Sequence, residues 1–148
     1  MLNLSNKLFF AVEAVVDIAF NAGGQPVQSR DITQRQNIPQ RYLEQVLQQL
    51  VRAGVLTGVR GPRGGYILAR ERRRITVGDI TRVISGLEEE DNSTPASDLG
   101  SRVMEPMWQE MQEKFLKDLD QVSIEDLCLK ANKENIESEA HRRLDFTI

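Results

Sequence analysis

Residues 39–66 read PQRYLEQVLQQLVRAGVLTGVRGPRGGY, and their apolar period changes half-way. Leu43, Val46, Leu47 and Leu50 recur at spacings of three and four, which predicts a helix with one apolar stripe. Pro39 suits the first turn of that helix and Gly54 its end. The remaining face carries Gln40, Arg41, Glu44, Gln45, Gln48 and Gln49, amides and charges that are free to contact something outside the chain. After Gly54 the pattern becomes extended. Val55 to Arg60 and Tyr66 to Ala69 are β-prone runs on either side of Gly61-Pro62-Arg63-Gly64-Gly65, which predicts a hairpin with a basic, glycine-rich tip.

Upstream, Ser29 is placed to cap a short helix of about two turns, with Asn37-Ile38 as the turn that leads into the amide-rich helix. A first helix follows Ser5, its expected N-cap, carries Leu8, Val12, Val15 and Ala19 on one stripe, and stops at Gly23-Gly24. Downstream, Thr76-Val77-Gly78-Asp79 fits a capping box that opens a helix with Ile80, Val83 and Ile84. Three helices, a hairpin and a fourth helix in this order predict a mainly α fold with a small β-hairpin wing, a winged helix-turn-helix over residues 1–87. In such a module the N-terminal part of the second tandem helix enters a major groove while its neighbours hold phosphates.

The charge distribution supports a polyanionic partner, although the total of -3 conceals it. Residues 1–87 hold 12 Lys/Arg against 6 Asp/Glu, and residues 88–148 hold 7 against 16. The halves thus differ in sign, one basic and one acidic, the pattern of a nucleic-acid module joined to something else. Double-stranded DNA is the expected partner. Arg41 has the fork to pair with guanine, Gln45 and Gln48 the amides for adenine, and Glu44 the acceptor for a cytosine amino group, each good pair contributing about 1–3 kcal/mol of discrimination. Arg60 and Arg63 supply charge for phosphates or a narrow minor groove, Gly61, Gly64 and Gly65 permit close backbone approach, and Pro62 stiffens the loop.

The amide-rich helix with its RYLEQ at 41–45, the following LVRAGVL, VRGPRGGY at 59–66 and ITVGDI at 75–80 together resemble the Rrf-two family of bacterial transcription regulators, of the IscR, NsrR and CymR type. The resemblance implies that Arg41, Tyr42, Glu44 and Gln45 lie on the recognition helix, that Arg60 to Gly65 form the wing, and that a long helix further on dimerises. Cluster-binding members place three cysteines before that long helix, because thiolates hold an iron-sulfur centre. Here that region contains none, and the chain has one cysteine, Cys128, and one histidine, His141. No cofactor is therefore expected, an unconventionally ligated or redox-active Cys128 being the alternative. Cys128 shares a helix face with Ile124, Leu127 and Ala131 behind a second capping box at Ser123 to Asp126, which favours a buried thiol behaving as a small hydrophobe.

The acidic half divides into a linker, residues 88–101, helices over 102–132, and a polar tail over 133–148 that is expected to fray. Met104, Trp108, Met111, Phe115 and Leu119 form a helical stripe with too little chain to bury it, so a two-fold homodimer is expected. No apolar run approaches the ~20 residues that span a bilayer. A single cysteine and a start without a signal-peptide pattern make the cytoplasm the expected location. No Ser/His or Cys/His pairing and no phosphate-binding loop points to an enzyme. A protein-interaction module using the winged-helix surface on an acidic partner is the reading of another class.

Overall fold

The computed structural model describes residues 5–86 and 97–140. The elements are α1 (Asn6–Asn21), α2 (Ser29–Gln36), α3 (Gln40–Arg52), β1 (Leu56–Val59), β2 (Gly65–Leu68), a 3-10 turn at Arg72–Arg74, α4 (Val77–Ser85), α5 (Glu105–Asp120) and α6 (Ile124–Lys133). The fold is mainly helical with one antiparallel hairpin, as the sequence predicts. Leu56 pairs with Leu68 and Val59 with Gly65. Val27 adds a single bridge on the far side of β2, its N–H donating to the Tyr66 carbonyl at 3.0 Å and its own carbonyl accepting from Tyr66 N–H at 2.8 Å. That bridge anchors the wing to the segment just before α2.

The stripe of α3 is buried as expected: Leu43, Val46, Leu47 and Leu50 have no exposure. Each such side chain contributes about 1.5–3 kcal/mol of transfer free energy. In α1 the buried apolar positions are Ala11, Ala14, Val15 and Ile18, whereas Leu8, Val12 and Ala19 are half-buried. The predicted stripe therefore lies off the core-facing line by about one position. The reason is that α1 is enclosed from more than one side, by α3, α4 and α6, so residues flanking the predicted stripe are also covered. Ser5 does cap α1, its Oγ accepting from Leu8 N–H at 3.2 Å. Ser29, in contrast, is not a cap. Gln28 occupies the N-cap position without a side-chain bond, and Ser29 is the first helical residue. The Gln28 backbone carbonyl already accepts from the Asp31 and Ile32 N–H groups, so the helix starts at the serine itself, one residue earlier than a serine cap would place it. Asn37 makes the turn in the left-handed region, φ 54°, and its N–H donates to the Thr33 carbonyl.

Both predicted capping boxes are present, Thr76 with Asp79 and Ser123 with Asp126. The two are strapped together. Val77 N–H donates to the Val122 carbonyl and Ile124 N–H to the Ile75 carbonyl, so α4 and α6 start side by side. Ile124 and Cys128 thereby enter the same buried cluster as α1, α3 and α4. The last helix is part of the head, packed against α1. Gly78 lies where α4 crosses the end of α5, and a Cβ there would collide with the Asp120 side chain. Asp120 receives both amino groups of Arg82, at 2.6 and 2.8 Å. This pairing holds the Asp120 carboxyl below its ordinary value. A depressed carboxyl contributes stability above its unfolded value of 3.8, and that contribution disappears as the pH falls through the lower folded value. We therefore expect the melting temperatures of wild type and Asp120→Asn to differ at neutral pH and to converge below pH 3.8. Equal melting temperatures at neutral pH would contradict the latch.

Helical winding of the acidic half begins at Asp98, inside the segment read as linker, and passes through a π-helical turn at Gly100–Met104. Pro106 has no N–H to offer the Arg102 carbonyl, and the Glu105 N–H instead reaches back to Gly100, widening the turn. The rest of the predicted linker, residues 88–96, lies outside the described residues, as does His141. The tail begins differently from the expected frayed end. Ser138 is buried, and Glu139 N–H donates to Asn21 Oδ1 at 2.9 Å, tying the chain after α6 to the end of α1. No described helix is long and apolar enough to cross a membrane.

Candidate nucleic-acid interface

The amphipathic split of α3 leaves Gln40, Arg41, Tyr42, Glu44, Gln45 and Gln48 exposed on the face opposite its buried stripe. They are the positions on α3 that the sequence offers for recognition, except Gln49, which is half-buried instead of joining this face. Four of these side chains, Gln40, Arg41, Tyr42 and Glu44, have partners within the protein. Tyr42 leans on Phe10 of α1, ring centroids 6.3 Å apart, and the Arg41 guanidinium lies 5.1 Å over the Tyr42 ring. A cation over an aromatic face gains about 0.5–1 kcal/mol at an exposed site, enough to bias the arginine's rotamer toward one direction. Gln40 donates to Glu44 Oε1 at 3.1 Å, an i,i+4 pair within the helix.

At the wing, Gly61 adopts φ 108° and its carbonyl accepts from Gly64 N–H at 2.9 Å, closing a tight turn with Pro62 and Arg63 at its corner. A Cβ at Gly64 would strike the Val59 carbonyl, and one at Gly65 would stand 2.5 Å from the Val27 carbonyl. Gly64 is thus required by the hairpin's own closure and Gly65 by the bridge to Val27, not by space for a ligand alone. Arg60 and Arg63 are exposed.

One short helix holds both parts. From α2, Thr33 Oγ1 donates to Gln40 Oε1 at 2.8 Å, reaching the first turn of α3. From its N-cap, Gln28 Nε2 donates to the Pro62 carbonyl at 3.4 Å, reaching the wing tip. Between them Gln28, Ser29, Arg30, Pro62, Gly65 and Tyr66 line an open cleft of about 360 Å³. Helix α2 is itself fixed to α1 by Asp17, which is buried and accepts from Arg35 at 2.8 and 2.9 Å and from Gln36 at 2.8 Å. Nothing in the local sequence singles out Thr33, Gln28 or Asp17. Each acts across the fold, and no local pattern marks it.

The expected dimerisation stripe is on the surface of the single chain. Met104, Trp108, Met111 and Phe115 are 45–55% exposed, joined by Leu99, Val103 and Met107, while Leu119 is half-buried near α4. Cys128 lies on α6 with only 3% exposure. Burial pushes its thiol up, against a smaller opposing pull from Arg72, which hydrogen-bonds to it. A buried thiol kept protonated is a poor nucleophile and a poor ligand. No group of three or more His, Cys, Asp or Glu side chains is gathered among the described residues. With one cysteine in the chain, a three-thiolate iron-sulfur ligand set cannot be assembled, so the residues present do not fit such a cluster.

Residues 4–130 match the family described as Rrf2, iron-dependent transcriptional regulator. The regulator IscR of Xenorhabdus nematophila is 34% identical over 132 residues, which cover 85% of this chain and 79% of the relative. Among solved structures, IscR of T. potens superposes with a TM-score of 0.72 at 37% identity and covers 92% of both chains. CymR, the global cysteine regulator of B. subtilis, superposes with a TM-score of 0.69 at 30% identity, over 88% of this chain and 98% of its own. The winged head, the placement of an amide-rich helix beside an arginine-glycine wing and the match along nearly the whole chain agree, and the protein belongs to the Rrf2 family of DNA-binding transcription regulators.

Proposed function

We propose that the protein is a homodimeric regulator that binds a specific duplex sequence, with α3 of each subunit in a major groove and the wing on the flanking backbone or minor groove. The observation that carries this reading is the dual attachment of α2, which holds the polar face of α3 through Thr33 and the arginine-bearing wing tip through Gln28. Reading head and phosphate clamp are thereby one rigid unit. Arg41, Gln45 and Gln48 contact base edges, with Tyr42 supporting Arg41. Ser29, Gly61, Pro62, Arg63, Gly64 and Gly65 line the path of a phosphate strand, and Arg60 neutralises it. Two heads related by a two-fold axis through the α5 stripes require half-sites one helical turn apart, about 34 Å, or a multiple of that. The acidic α5, with five carboxylates against two lysines, keeps the remaining surface off the DNA.

Selection from a randomised duplex library, followed by affinity measurements across salt concentrations, tests this. The wild type is expected to enrich a two-fold symmetric sequence. Arg60→Ala is expected to weaken binding to all duplexes alike and to reduce the slope of log affinity against log salt by about one for each phosphate contact removed. Unchanged affinity and slope would remove the wing from the interface. Failure to prefer any sequence over random duplex would favour a protein-interaction module instead.

A further inference from the structure

We infer that Thr33, a residue of α2 that faces no base, sets the base preference of α3 by positioning Glu44 through Gln40. The inference rests on the reading of α3 as the base-contacting helix and names what orients one of its side chains. Thr33 Oγ1, Gln40 and Glu44 form a chain, 2.8 Å from hydroxyl to amide oxygen and 3.1 Å from amide nitrogen to carboxylate. Its polarity is forced. An ionised carboxylate only accepts, so Gln40 must turn its NH₂ toward Glu44 and its oxygen toward Thr33. A hydroxyl has one proton, so Thr33 gives it to Gln40 in this arrangement and not to the Ser29 carbonyl 3.1 Å away.

The consequence is specific to the position. A carboxylate on a DNA-facing surface is repelled by phosphates and gains only where a base offers an amino donor in the major groove, as cytosine does. Held in one place, it rewards that base and penalises others. Free to rotate away, it stops discriminating. Glutamate loses up to about 2 kcal/mol of side-chain freedom when ordered, so restraint before binding matters. Gln40 cannot supply it alone, because its amide is free to swing unless its far side is held. Thr33 holds it, from a different helix and seven residues earlier. Thr33 is therefore a positioning residue.

The test compares the full-length wild type with Thr33→Val, Thr33→Ser, Glu44→Ala and the Thr33→Val/Glu44→Ala double variant. Valine keeps the shape and the β-branched backbone preference of threonine, and thermal melting of each variant checks that the head stays folded. The preferred duplex is selected with wild type, and the base pair whose preference Glu44→Ala abolishes is identified. The ratio of affinities for that pair and its substituted form is then read for each variant. Thr33→Val is expected to lower the ratio about threefold to tenfold, the worth of one hydrogen bond. Thr33→Ser should restore the ratio, and Thr33→Val should change nothing further in the Glu44→Ala background. An unchanged ratio in Thr33→Val, or an equal drop in both backgrounds, overturns the inference while leaving sequence-specific binding intact. A wild type without sequence preference, or a Glu44→Ala variant with the wild-type preference, overturns the reading of α3 and this inference with it.

Discussion

A chain carrying Trp108→Glu and Phe115→Glu is expected to sediment as a monomer and to lose about a hundredfold to ten-thousandfold in affinity for its operator duplex. Both side chains are about half exposed on α5 in the single chain, in line with Met104 and Met111. Their replacement therefore removes little from the subunit's own core, and the circular dichroism spectrum and head stability should be unaltered. What changes is the stripe's use as an interface. Burying two glutamates opposite their own symmetry mates places unpaired like charges in a dry contact, which two subunits avoid by separating. Affinity then falls because each head must find its half-site alone, without the high effective concentration that linkage to a bound partner provides. A variant that remains dimeric, or a monomer with undiminished affinity, would show that the stripe is not the dimer contact.

Arg35→Ala should destabilise the head by about 3–5 kcal/mol in urea unfolding, a large part of the 5–15 kcal/mol typical of a domain. The Asp17 side chain has no solvent exposure and receives three hydrogen bonds, two of them from the Arg35 fork. Taking away the fork leaves a carboxylate that burial has stripped of water and that only Gln36 still satisfies. Glu13 adds to the penalty. Its carboxyl is pushed up, first by burial and then by the Asp17 charge, so the same corner of α1 already carries two acids. Arg35→Lys restores charge but not the two-pronged geometry and should recover only part of the loss. A cost below about 1 kcal/mol for Arg35→Ala would mean that the pair behaves as an ordinary surface ion pair.

The amphipathic α3 and the hairpin wing are legible locally because each is announced by its own residues. The α3 stripe repeats every three to four positions, its polar face is made of amides, and the wing's glycines fall where the turn needs them. Capping boxes are equally local, since Thr76 and Asp79 meet within one turn. The misplacements have a different origin. Residue type favours Ser29 as a cap, but the Val27–Tyr66 bridge ties down the chain two residues before it, and the helix begins after Gln28. The α1 spacing predicts a helix packed on one side, whereas α3, α4 and α6 all pack against it. The C-terminal segment reads as polar, yet Ser138 and Glu139 close over the end of α1 through Asn21.

Sequence alone determined the winged head, the basic character of its half, the exposed amide face of α3 and the lack of thiols for a three-cysteine cluster, because periodicity, net charge and residue counts need no partner in space. Tertiary structure alone decided that α6 belongs to the head's core, that Gly78 lets α4 and α5 meet at Asp120, that a buried Asp17 locks α2 by way of Arg35, and that α2 holds α3 and the wing together. The physical reason is common to all four. A hydrogen bond or a close contact between residues on different elements leaves no periodic trace in either segment, and it exists only once the hydrophobic core has brought the elements together.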